Sequence, residues 1–260
     1  MPAKKKVPET DAIFAELKQV HADAAVARDT LRISLDAKAT VKIGPFSRGG
    51  YSRTGNAGAD HDFEPVGQLT PFGIFVPEYD ELDLYFTHSK VTSDFIVDAL
   101  DEWWQRSKER FTRVGEVRRL IVDLDNGPEN HSRRTQFLYR IVQFAQKHQI
   151  VVQLVYYPPY HSKYNPIERC WGILEGYWRG EILDSEAAVL GYAQSMTYNG
   201  IHPKVHRVAL EYATGVARTA AQMKRLETVV DRLPRPRNPK RSSMNRAVVA
   251  ILSILYRLPP

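Results

Sequence analysis

The sequence holds one cysteine, Cys170, in 260 residues. Neither a disulfide framework nor a cysteine-rich zinc module can form within one such chain, and a reducing interior suits it. Long apolar runs are also missing. A bilayer span needs ~20 apolar residues, and the longest candidate, Ala247 to Leu258, is interrupted by Ser253 and Arg257. Met1-Pro2-Ala3-Lys4-Lys5-Lys6 is basic without the apolar stretch of a secretory signal. There is no Gly-rich phosphate loop of the nucleoside-triphosphatase type, so the chemistry expected is one not driven by ATP hydrolysis. Histidine forms no zinc pattern: His202 and His206 stand four apart, but no nearby cysteine or acid completes a set, and His88 and His148 are remote. A strong excess of one charge is absent too. Lys and Arg total 36 against 30 acids, a formal charge of +6, which fits a nucleic-acid partner without requiring one.

What is present is enough apolar sequence for one sizeable core, with 43% of residues in the hydrophobic set. Phe14, Leu17, Val20 and Ala24 recur near the helical period and predict a helix over 10–29. Leu31, Ile33 and Leu35 alternate with Arg32, Ser34 and Asp36, and residues 31–43 read as strand. Gly44 to Gly67 is rich in turn formers. Leu69 to Val76 and Leu82 to Phe86 are two more strands, giving three in succession, antiparallel. Thr92 to Phe111 is an amphipathic helix with Phe95, Ile96, Ala99, Leu100, Trp103 and Trp104 on one face. A short strand, Leu120 to Leu124, ends in the turn Asp125-Asn126-Gly127-Pro128. A helix over 132–149 and a strand from Val151 to Tyr156 follow.

Asn165-Pro166 opens another helix, with Asn165 as cap, Pro166 at the first position and Glu168 three residues after the cap. Ile167, Trp171, Leu174 and Trp178 form its stripe. Residues 185–196 and 204–230 supply further helical material. This order predicts a mixed α/β sheet flanked by helices on both faces. It divides into a helical lead-in (1–29), a core (30–230), and a basic Pro/Arg linker with a short apolar tail (231–260).

Three carboxylates stand at informative places. Asp36 ends the first strand, Asp125 follows the strand from Leu120, and Glu168 lies in the first turn of its helix. Neighbouring strands ~4.8 Å apart bring two such acids within reach of shared ions. Magnesium or manganese wants oxygen ligands, and two ions ~3.5–4 Å apart serve phosphodiester chemistry. Each acid also has a plain alternative: Asp36 as a surface acid, Asp125 as a turn residue, Glu168 as the partner in a capping box. Asp123 shares strand parity with Asp125 and competes as a ligand.

The segment Asp125-Asn126-Gly127-Pro128-Glu129-Asn130-His131 is one motif. Tyr157-Pro158-Pro159-Tyr160-His161-Ser162-Lys163-Tyr164-Asn165-Pro166-Ile167-Glu168 is a second. Together they resemble the DDE transposases of the mariner-like insertion-sequence superfamily, in a bacterial branch. Ile33-Ser34-Leu35-Asp36-Ala37-Lys38-Ala39 resembles the first family motif. The likeness runs over roughly residues 30 to 225. It implies a ribonuclease H-like catalytic domain in which Asp36, Asp125 and Glu168 hold two magnesium ions, with manganese as a substitute, and it prefers Asp125 to Asp123.

It also implies strand cleavage and transfer at insertion-sequence ends. Double-stranded DNA at element ends and target DNA would be the partners, held by a homodimer or larger synaptic complex in the bacterial cytoplasm, nucleoid-associated when bound to DNA. The candidates for DNA contact are Lys38, Lys42, Arg48, Arg53, His131, Arg133, Arg134, Lys163 and Tyr164, the last two beside the site. Tyr156, Tyr157, Tyr160 and Tyr164 either stack on displaced bases or, the reading favoured here, pack the core and loop. The helix-turn-helix region that family members carry does not fit within residues 1–29, and the segment after Asp231 does not resemble the family's end. Two other readings therefore stand beside transposition: a ribonuclease H-like nuclease or resolvase that does not join strands, and an inactive transposase that binds DNA or a partner.

Overall fold

A computed structural model describes residues 10–46, 48–49, 64–111, 116–158, 161–232 and 251–255. In chain order the elements are α1 (Thr10–Val26), β1 (Thr30–Ala37), β2 (Val41–Ile43), β3 (Gly67–Val76) and β4 (Glu81–Thr87). Then come α2 (Ser93–Ser107), which runs into a 3-10 turn at Lys108–Phe111, β5 (Arg119–Leu124), α3 (Thr135–His148) and β6 (Val151–Tyr156). The last are α4 (Glu168–Trp178), α5 (Glu186–Ser195), β7 (Lys204–Val208), α6 (Ala220–Leu226), β8 (Val230–Arg232) and β9 (Ile251–Ile254). The fold is mixed α/β, a mixed sheet flanked by helices, consistent with the ribonuclease H-like class. Contacts group the chain into two compact units.

The first unit comprises residues 1–32, 104–165 and 216–260. In it β5 and β6 pair in parallel, Leu120 opposite Val152. Parallel strands buried on both faces read as continuous apolar runs, and Leu120, Ile121, Val122 and Leu124 are all buried. The face of α1 expected to be apolar packs as such: Phe14, Leu17, Val20 and Ala24 join Ile121, Val155 and Tyr157, and Ile13 packs with them. Within the apolar tail, Ile251, Leu252 and Ile254 are buried in the core. β9 pairs antiparallel with β6, and β8 pairs antiparallel with β9.

The second unit comprises residues 33–103 and 166–215. β1, β3 and β4 are antiparallel neighbours, as their succession in the sequence predicts. The long strand expected over 31–43 is two strands, and β2 pairs with β3 in its own register. Under this sheet α4 contributes Ile167, Cys170, Trp171, Leu174 and Trp178 to a core shared with Leu69, Phe75, Leu84 and Phe86. The helical reading of 204–230 is corrected over most of its length: only α6, Ala220–Leu226, is helical. Lys204–Val208 forms β7, parallel to β4. The β-branched Val205 and Val208 favour a strand, and His206 is tied to β4, its Nε2 being 2.8 Å from Asp83 Oδ1 and its ring stacked on Tyr85.

Candidate functional site

Asp36 is the penultimate residue of β1 and lies opposite Gly73 of β3. Its Oδ2 accepts a hydrogen bond of 2.8 Å from the indole Nε1–H of Trp171. A buried tryptophan needs such an acceptor, and Trp171 is 4% exposed. The helix comes this close because residue 73 has no side chain. A Cβ there would lie 2.6 Å from Ile167 Cδ1 and 2.9 Å from Trp171 Cη2.

The start of α4 is anchored to the same strand. The Ile167 N–H donates to Ser34 Oγ at 3.1 Å. Glu168 follows as the first residue of α4, three residues before Trp171, so the two share a flank. The capping box expected from Asn165 and Glu168 does not form this start. The cap position is Ile167, and no side chain caps it. The first bonds are short-range ones, Arg169 N–H to the Pro166 carbonyl and Cys170 N–H to that of Ile167. Ser34, remote in sequence, satisfies a donor that a local cap would otherwise serve. Asp36 and Glu168 thus belong to one unit and are linked through α4.

Asp125 belongs to the other unit and directly follows β5. Its Oδ1 accepts from Asn130 Nδ2 at 3.2 Å. The Asn130 carbonyl accepts in turn from the buried Tyr156 hydroxyl at 2.9 Å. Gly127 makes room for this turn, since a Cβ on it would sit 2.8 Å from Asn130 Oδ1 and 3.3 Å from Asp125 Oδ1. Asn130 Oδ1 is buried and makes no hydrogen bond among the described residues.

Asp123, the competing acid, is buried and fully engaged. Its Oδ1 meets His21 Nε2 at 2.8 Å, and its Oδ2 accepts from Arg32 Nε at 2.8 Å and Nη2 at 2.7 Å. A carboxylate inside an apolar strand needs such partners; its position within Leu120 to Leu124 was the signal, though nothing local names His21 or Arg32.

The expected pair of magnesium ions, or manganese in their place, is overturned. Among the described residues no group of three or more His, Cys, Asp or Glu side chains could hold a metal ion. The hydrogen-bond partners give the physical reason. Asp36 and Asp125 accept from the neutral indole and amide donors described above, which aim at oxygens a cation would need.

The expected DNA-contacting residues divide by what already holds them. Lys38 Nζ and Arg48 Nη2 both bind Glu175, at 2.8 and 3.0 Å, and the Arg48 guanidinium also lies over the Trp178 ring. Burial pushes the Glu175 carboxyl up, but the hydrogen bonds from Lys38 and Arg48 outweigh it and hold the carboxyl below its ordinary value. Arg134 is paired with Glu129 at 3.0 Å. His131 is partly buried; that burial, with Arg134 and Arg133 beside it, lowers its pKa against the pull of Glu129. Lys42, Arg133, Lys163 and Tyr164 are exposed. Arg53 lies outside the described residues. The tyrosine cluster splits as well: Tyr156 and Tyr157 are core, Tyr164 is 52% exposed, and Tyr160 lies outside the described residues.

No curated protein matches this chain. Solved structures do. The Mos1 transposase paired-end complex with left transposon end is 11% identical, with 74% of this chain and 57% of that one covered and a TM-score of 0.46. The Mos1 mariner paired end complex with Mn is also 11% identical, covering 74% and 55%, with a TM-score of 0.48. The simian T-cell lymphotropic virus intasome, in complex with PP2A regulatory subunit B56 gamma, is 14% identical, covering 83% and 60%, with a TM-score of 0.38. The chain thus spans 55–60% of the length of these structures. The sequence itself matches a family model, described as the Rhodopirellula transposase DDE domain, over residues 1–237, and the chain belongs to that transposase family.

Proposed function

We propose that this chain acts as a DNA-binding member of its transposase family, holding duplex DNA by its phosphates without turning over the strands. On its motifs we place it in the bacterial mariner-like branch. One observation carries the reading: two of the three motif acids are committed to neutral donors of the chain's own fold, Asp36 to Trp171 and Asp125 to Asn130. Carboxylates so used position helices and turns. Binding falls to exposed cations such as Lys42 and Lys163, which attract phosphates without reading sequence. The modest positive balance, +6, supports the same partner.

A second reading, DNA strand cleavage or transfer, is favoured by a different observation. α4 is anchored to β1 by the residues on either side of Glu168, Ile167 to Ser34 and Trp171 to Asp36, which ties the turn that carries this acid to the strand that carries Asp36. The test uses labelled duplex DNA bearing the flanking element ends, with magnesium or manganese and with chelator. The native chain is compared with Glu168→Gln. Retarded but uncut DNA, bound equally by both proteins, is the expected outcome. Cleaved or joined product from the native chain, lost in Glu168→Gln, would replace this proposal with the enzymatic one.

A further inference from the structure

The loop leading to α4 presents an aromatic ring to solvent, and the fold holds that ring from behind. Tyr164 is 52% exposed. Its ring stacks on His161, with centroids 6.0 Å apart and planes at 21°. Phe14 of α1 meets both rings edge-on, Tyr164 at 5.1 Å and His161 at 5.4 Å. Phe14 is seated in turn against the cluster of Leu17, Ile121, Val155 and Tyr157. The ammonium of Lys163 lies 5.1 Å from the Tyr164 ring centroid.

Tyr156 and Tyr157, at 0% and 4% exposure, serve packing. Tyr164 is instead supported by two rings and left open. An aromatic face already ordered in this way loses little further freedom when a flat ligand stacks on it. A base inside a duplex has both faces occupied by its neighbours, so the flat group that fits is an unpaired nucleobase. Its own backbone brings a phosphate, and the Lys163 ammonium, which lies over the ring, is the cation that swings from the ring face to meet that phosphate as the base takes its place.

We propose that Tyr164, backed by His161 and Phe14, is a stacking platform for an unpaired DNA base, with Lys163 on the adjoining phosphate. The inference rests on the DNA-binding reading and names the part of the DNA that this loop takes.

Fluorescence anisotropy with the full chain tests it on three labelled DNAs of equal length: an intact duplex, the same duplex with a short single-stranded gap, and a single strand. A single-stranded RNA of the same sequence is the fourth probe. The native chain is expected to bind gapped DNA more tightly than duplex. Tyr164→Ala should lose at least about fivefold of that preference, from the energy of one stacked base, because its loss on gapped DNA exceeds its loss on duplex. Tyr164→Phe keeps the ring and should keep the preference, which separates stacking from folding. A 2-aminopurine in the gap should be quenched by the native chain and not by Tyr164→Ala. Equal affinity for gapped and intact duplex, or an equal loss on both in Tyr164→Ala, would overturn the platform and leave DNA binding standing. Tighter binding to the RNA strand than to the DNA strand would overturn the assignment to DNA. Failure to bind any of the probes would remove the DNA-binding reading, and the platform with it.

Discussion

Asp123 and Asp125 are two residues apart, yet their surroundings give them different work. Asp123 is buried with both oxygens occupied by His21 and Arg32, so it ties α1 and Arg32 to β5 within the first unit. Removing one partner of a buried ion pair strands the other charge. Asp123→Ala should therefore destabilise the fold by about 3–5 kcal/mol, measured by urea denaturation, while His21→Ala should cost less because Arg32 remains. The acid at Glu175 gives a pH signature. Its pKa is depressed in the folded chain, so its contribution to stability is present above the ordinary glutamate range and is lost as pH falls through the folded value. Thermal unfolding between pH 3 and 7 should show a smaller acid-induced drop for Glu175→Gln than for the native chain. The sequence made the motif acids visible and Asp123 conspicuous as an acid within an apolar run. It did not disclose that Trp171 binds Asp36 or that Glu175 gathers Lys38 and Arg48. These contacts join residues more than a hundred positions apart, whose meeting depends on how the sheet is threaded.

Among the elements, α4 depends most on a single residue of another. Gly73 lets Ile167 and Trp171 lie against β3, where an added Cβ would come within 2.6 and 2.9 Å of them. Gly73→Ala should push α4 off the sheet at a cost of about 1–3 kcal/mol. It should also loosen the Trp171 bond to Asp36, read as a shift in tryptophan fluorescence together with a lower unfolding midpoint. The helices with a clear apolar face, α2 and α3, were legible because a 3.6-residue period is a local property. β7 and β9 were not. Each is a run of five residues or fewer whose state is fixed by partner strands, β4 for one and β6 with β8 for the other. A run so short reads equally as helix or strand until those partners are known. The start of α4 was misread for the same reason, because the hydroxyl that serves it comes from β1.

On the scale of the whole molecule, the modest charge of +6 sets the expected character of DNA binding. Affinity should fall with salt, the slope of log K against log salt being about −0.9 for each phosphate neutralised. Lys42→Gln and Lys163→Gln should each flatten that slope by about 1 in anisotropy titrations across a salt series. Lys38→Gln should act through stability instead, because its ammonium is held by Glu175. The two compact units also differ in how the chain supplies them. The second draws on two stretches of sequence and the first on three, with β9 laid against β6 only after residues 251–254 arrive. During synthesis β6 is therefore made well before the strand that closes its flank. A nascent chain carries an open, apolar strand edge for that interval, and such an edge invites pairing with other chains. Slower translation between β6 and β9 would lengthen the exposure, so the demand for chaperone protection rises with a stall in that stretch and not with one in the hairpin of β3 and β4.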